Sequence, residues 1–160
     1  MSNSADTDRE YAYFRAIGSF DPVQVTTEIG LKPTKQWKVG DPFEVRGNKL
    51  NRRGSSWKID SGLRDTEFLE NHIEALLRIL RPKRDGILRT STFAKVQIVC
   101  VGFYYQSFSW EPNFEHQKEI TAMGIGFWFD TYSFGDYHEE MVDLRDQLGI
   151  RNEGVHTIDE

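Results

Sequence analysis

The chain has 160 residues, 38% of them hydrophobic and 13% aromatic, and a net charge of −5 with a sequence pI near 5.4. That length and apolar content are enough for one real core and argue against disorder. No run approaches the ~18–20 apolar residues of a membrane span, the polar start MSNSADTDRE resembles neither a signal nor a transit peptide, and the single Cys100 excludes an internal disulfide. Together these predict a cytoplasmic protein.

The pattern predicts a flexible tail over 1–9, a single α+β domain over 10–149 and a C-terminal tail over 150–160. Tyr11–Gly18 (YAYFRAIG) has the aromatic and aliphatic alternation of a strand. Asp21-Pro22 opens a helix, with Asp21 as N-cap and Pro22 at N1; Val25 and Ile29 share a face, and Gly30 is its stop. A short strand around QWKV follows, then a long Gly/Pro/Asn/Arg loop over 40–56. SSWKIDSG returns as a strand.

Asp65–Leu80 is expected to be the main helix, with Leu69, Ile73, Leu76, Leu77 and Leu80 as its apolar stripe and Glu74/Arg78 as an i,i+4 pair. Pro82 ends it, and 83–92 reads as a loop. Lys95–Tyr105 (KVQIVCVGFYY) is apolar on both faces, as a central strand is. A second short helix over Asn113–Met123, a strand over Ile125–Phe134 and a helix over Asp136–Leu148 complete the order. The first six elements match a ferredoxin-like βαββαβ sheet, extended by a further helix, strand and C-terminal helix. A weak internal echo, strand then helix then Gly-aliphatic, recurs at Gly30-Leu31 and Gly124-Ile125.

Charge divides sharply along the chain. Residues 1–31 carry −3, residues 32–95 carry +7 and residues 96–160 carry −9. The segment Lys32–Arg64 holds nine Lys/Arg against three acids, interleaved with Trp37 and Trp57. Such interleaving suits phosphates and bases, so Trp37, Lys38, Arg46, Lys49, Arg52, Arg53, Trp57 and Lys58 are candidate binding residues. The plainer alternative is a solvated loop whose tryptophans anchor in the core, and the acidic pI weighs against a nucleic-acid domain.

A second constellation follows from period 2. Tyr11, Tyr13, Arg15 and Ile17 share one face of the first strand; Trp128, Asp130, Tyr132 and Phe134 share one face of the last. If the faces coincide, Arg15 and Asp130 come within salt-bridge range among Tyr13, Trp128 and Tyr132, either as a covered ion pair or as a ligand site.

Catalytic and metal motifs are missing from the sequence. His72, His116, His138 and His156 have no HxxxH or HExxH spacing, there is no GxSxG elbow and no GxxxxGK[ST] loop, and Cys100 lies in an apolar strand. No cofactor or metal is expected, and an enzyme is the less favoured reading. The expected partner is another protein, met through the 40–56 loop as by an immunity or antitoxin-like module. The alternatives are nucleic-acid or phosphate binding by the basic segment, and a small-ligand site at Arg15/Asp130.

Three stretches carry a family resemblance: the opening strand followed by DPVQVTTEIGLKPTKQWKVGDP, then WKIDSGL running into an amphipathic helix, then an apolar strand, a short helix and MGIGFWFDTYS. Over Tyr11–Phe134 the chain resembles a bacterial family known as domain of unknown function 4279. The resemblance implies a bacterial, cytoplasmic α+β domain and supplies no reaction and no catalytic residues.

Overall fold

A computed structural model of the chain describes residues 8–105 and 108–133, together with positions 144, 147 and 148. The fold is α+β. Strand β1 (Arg9–Gly18) leads into helix α1 (Pro22–Ile29), strand β2 (Lys35–Trp37) and a hairpin of β3 (Pro42–Val45) and β4 (Asn48–Asn51). Strand β5 (Ser55–Asp60), helices α2 (Leu69–Leu80) and α3 (Arg84–Thr90), strand β6 (Lys95–Tyr104), helix α4 (Phe114–Ala122) and strand β7 (Gly126–Ser133) follow.

Five strands form one mixed sheet in the order β2-β5-β1-β6-β7, and β3-β4 stand apart as a two-stranded sheet. β1 is antiparallel to both β5 and β6, β2 is antiparallel to β5, and β7 runs parallel to β6. β1 and β2 are therefore parallel to each other on either side of β5. The β1-α1-β2 and β6-α4-β7 units both join parallel strands, and both helices stop at a left-handed glycine, Gly30 (φ 73°) and Gly124 (φ 71°), as the internal echo anticipates.

The period-2 alternation of β1 is cleanly partitioned. Ala12, Phe14 and Ala16 are buried, and join Trp57 and Ile59 of β5 and Ile98 and Cys100 of β6 beneath the helices. Phe14 meets Trp57 edge-on at 6.2 Å, and the Trp57 indole N–H donates to Thr26 Oγ1 of α1 at 2.9 Å. Leu69, Ile73, Leu76, Leu77 and Leu80 of α2 are all buried in this core, as their spacing predicts. The odd residues of β1, from Tyr11 to Ile17, point to the other side of the sheet and are only half-buried.

Three expectations are corrected. The main helix begins at Leu69, not Asp65, because its start is capped from β1: Glu10 Oε2 accepts the Leu69 N–H at 2.7 Å while Asp65 faces Arg9 at 3.7 Å. The stretch 40–56 is not a structureless loop. Arg46 (φ 50°) and Gly47 (φ 78°) both adopt positive φ, which is the turn that closes a two-residue hairpin. Pro42 stands at a strand start, where its missing N–H costs nothing. Finally, the loop expected over 83–92 contains α3, with Ile87 and Thr90 fully buried. Pro82 turns the chain through a 3₁₀ segment, Arg81–Lys83, and Gly86 lets α3 rest against the end of α1. The helix expected over Asp136–Leu148 lies outside the described residues, apart from Leu144, Gln147 and Leu148.

Candidate functional site

Among the described residues, helices α1–α4 pack on one face of the sheet, and the opposite face carries strand side chains with the β3-β4 hairpin beside them. The register fixes which residues meet there. Arg15 lies opposite Lys58 on β5 and Gln97 on β6; Lys58 in turn lies opposite Lys35 on β2. Tyr13 is level with Val99 and Trp128, and Tyr11 is level with Val101 and Asp130.

The two constellations read separately from the sequence thus share a surface. A cleft of about 530 Å³ is lined by Tyr13 and Arg15 from β1, Lys35 and Trp37 from β2, and Arg53 and Lys58 around β5. Ile17, Gly18, Ser19, Gly54, Ser55 and Ser56 complete its lining, and among the described residues none of the lining is acidic.

The cations are held in place. Arg15 donates from Nε and Nη2 to Gln97 Oε1, at 3.1 and 2.9 Å, and its guanidinium stands 5.5 Å from the Trp128 ring centre. Lys58 sits 4.0 Å over the Tyr13 ring and 3.3 Å from Asp60. Arg52 is sandwiched between Trp37 at 4.2 Å and Phe43 at 4.0 Å, which ties the hairpin to the cleft rim. Burial raises the Tyr13 phenol above its ordinary range; Arg15 opposes this, and the charges of Asp130 and Asp60 add to it.

Arg15 and Asp130 do share a face, as period 2 predicts, but they are not a pair. The register sets Asp130 level with Tyr11, four residues or ~13 Å along the strands from the level of Arg15. Asp130 instead accepts from the Tyr132 hydroxyl at 3.2 Å. Trp57 belongs to the core of the other face. Lys38 pairs with Asp21 at 3.3 Å outside the cleft, Arg46 forms the hairpin turn, and Lys49 lies opposite Glu44 on the hairpin. Two contributors were not singled out from the sequence. Lys35 was one basic residue among nine, and Gln97 was the sole amide in an apolar strand, a signal that such a residue has a partner.

Residues 8–134 match the family described as domain of unknown function (DUF4279). The chain belongs to this family. The match covers the whole five-stranded sheet, so the cleft lies inside the DUF4279 unit rather than in an appended segment. No curated protein and no solved structure matches this DUF4279 chain.

Other reactive groups in the domain have structural settings. His72 Nδ1 is 2.6 Å from Ser61 Oγ, but both groups are buried, which denies a substrate access. His116 bridges α4 to α2, with Nδ1 2.7 Å from Glu70 and Nε2 2.7 Å from Glu74, one helical turn apart. Cys100 is buried in β6, where desolvation pushes its thiol up to about 12. Among the described residues no group of three or more His, Cys, Asp or Glu is placed to hold a metal ion, and no helix is long and apolar enough to cross a membrane.

Proposed function

We propose that this DUF4279 domain is a non-catalytic binding module whose open-face cleft takes a phosphate-bearing ligand with a flat ring. One observation carries the reading: Arg15, Lys35, Arg53 and Lys58 converge with Tyr13 and Trp37 on one concave site that, among the described residues, no carboxylate lines. These four cations gather around one hollow with Asp60, 3.3 Å from Lys58, as a partial counter-charge, and an anion relieves the repulsion that remains. The aromatic rings offer faces for stacking beside the charged groups. This joins two readings of the sequence, the basic segment and the Arg15 face, and leaves Asp130 outside the site.

The probes are uridine monophosphate and inorganic pyrophosphate, followed by calorimetric titration. Both bind saturably, more weakly as salt rises, and the double variant Arg15→Gln/Lys58→Gln loses them. Absence of binding by either probe at low salt refutes the reading.

A protein partner is a second reading, favoured by the hairpin. Val45 and Leu50 are 41% and 49% exposed on a two-stranded arm with which, among the described residues, no third strand pairs. An apolar arm of this kind suits docking on another protein. We also infer that the β1-α1-β2-β5-α2-β6 portion follows the ferredoxin-like plan, supported by the order β2-β5-β1-β6 with parallel β1 and β2 flanking β5. A bacterial cytoplasmic setting is part of the same proposal, resting on the family resemblance and the lone buried Cys100.

A further inference from the structure

We infer that the ligand is single-stranded nucleic acid, running diagonally from the cleft at β2 and β5, past Tyr13 and Arg15, to Trp128 on β7. The inference rests on the phosphate-cleft reading and extends it in length and chemistry.

Trp128 is 48% exposed on the edge strand, on the same face as the cleft. It is joined to the cleft by Arg15, whose guanidinium is fixed by Gln97 on one side and approaches the Trp128 ring on the other. Trp37 is at the opposite edge of the sheet, level with Ser56 and hence with Ile17. Trp128 is level with Tyr13. Four strand spacings separate the two tryptophans, ~19 Å, and the four-residue offset adds ~13 Å along the strands. The diagonal is therefore about 23 Å, with Tyr13 and Arg15 part-way along it.

A mononucleotide fills the cleft and leaves Trp128 bare. A strand of several nucleotides reaches both ends, with phosphates near Lys35, Lys58 and Arg15 and bases against the rings. Sheet platforms stack two or three bases on such aromatics. A duplex does not fit this chemistry, because its bases are already stacked and paired and cannot be splayed onto side chains. A protein strand fits it less well, since the face concentrates cations and ring surfaces and not exposed aliphatics. The chain's acidity is distributed unevenly: residues 32–95, which supply Lys35, Arg53 and Lys58, carry +7, while residues 96–160, which supply Trp128 and Asp130, carry −9, so phosphates belong at the cleft end and Trp128 contributes stacking.

The test titrates the protein with ten-residue oligothymidylate, with the same sequence as a blunt duplex, and with uridine monophosphate, reading tryptophan fluorescence and the anisotropy of labelled strands. The oligonucleotide is expected to bind at least about tenfold tighter than the mononucleotide and to quench tryptophan. Its log affinity should fall with log salt with a slope of about −0.7 per phosphate contacted. Trp128→Ala, with an unchanged melting midpoint, should weaken the oligonucleotide about fivefold or more and leave the mononucleotide unaffected. Lys35→Gln, at an exposed position, should make the salt slope shallower by about 0.7. Equal affinity for the oligonucleotide and mononucleotide, equal affinity for the duplex, or full oligonucleotide binding by Trp128→Ala overturns the diagonal path while the cleft stands. If neither uridine monophosphate, pyrophosphate nor oligothymidylate binds, the cleft reading falls with it.

Discussion

Gly86→Ala is the sharpest probe of how the helical layer is assembled. Gly86 is buried in α3, and a Cβ built there lies 2.9 Å from the Glu28 carbonyl carbon and from Ile29 Cα, and closer still to the Glu28 carbonyl oxygen. Ordinary carbon contacts sit at 3.5–4.0 Å, so α3 must back away from α1 by roughly 1 Å. The neighbours are backbone atoms, which cannot swing aside as a side chain can. Helix propensity alone favours Ala over Gly by about 1 kcal/mol. Against that stand about 1–3 kcal/mol of overpacking and the loosened contacts of Ile87, which is fully buried beside Gly86. Because the obstructing atoms are backbone, the overpacking cost falls at about 2–3 kcal/mol, the upper part of its range, and the net loss after propensity is about 1–2 kcal/mol. Urea unfolding followed by far-UV circular dichroism should show the midpoint falling by roughly 0.5–1 M at unchanged slope. An unchanged or higher midpoint would mean that propensity dominates and that the α1–α3 contact is not close.

Three further outcomes follow from the core and its buried groups. Leu76→Ala removes a fully buried side chain from the α2 stripe and should cost about 2–5 kcal/mol in denaturant unfolding; an unchanged midpoint would contradict the packing of α2 on the sheet. Burial depresses the His72 pKa, with the backbone carbonyls of Arg64, Glu67 and Glu10 and the Glu10 charge opposing it, so between that lowered value and about 6.5 the unfolded chain binds the extra proton. Stability should therefore fall as pH drops from 7 through this window, and His72→Leu should flatten the dependence; an equal slope in parent and variant rules out His72 as its source. Cys100 should resist iodoacetamide at pH 8 in the folded protein and react once urea unfolds it, whereas rapid native labelling would contradict its burial.

Elements that alternate or repeat against a common core are legible in the sequence. β1, α1 with its Asp21 and Gly30 ends, the stripe of α2 and the two-sided apolar run of β6 all announce themselves, because burial imposes a period of 2 or 3.6 on their residues. The missed elements have weak burial patterns or use glycine and proline in unusual ways. β3 and β4 are almost wholly exposed, so no period marks them, and their turn uses Arg46 where Asn is usual. In α3, Gly86 reads as a breaker but serves a close approach between helices. The site shows the same division. Period 2 groups Tyr13 with Arg15 and Trp128 with Asp130, but long-range pairing decides that the two faces coincide and which residues meet along them. The register it sets gave Arg15 to Gln97 and left Asp130 at another level.

The central place of β1 bears on how this chain can change. Its even positions hold the core together and its odd positions furnish the outer surface, so two nearly independent texts are interleaved in ten residues. Exchanging an odd position such as Tyr13 alters what the surface grips and leaves the interior intact, whereas replacing Arg15 also takes both donors from the buried Gln97 side-chain carbonyl. Inserting or deleting one residue is different in kind: it carries Phe14 out to the solvent face and a tyrosine or arginine into the apolar interior. β1 is therefore permissive to substitution on alternate letters and intolerant of any shift in frame, so a new specificity can arise there by point changes but not by changes in length.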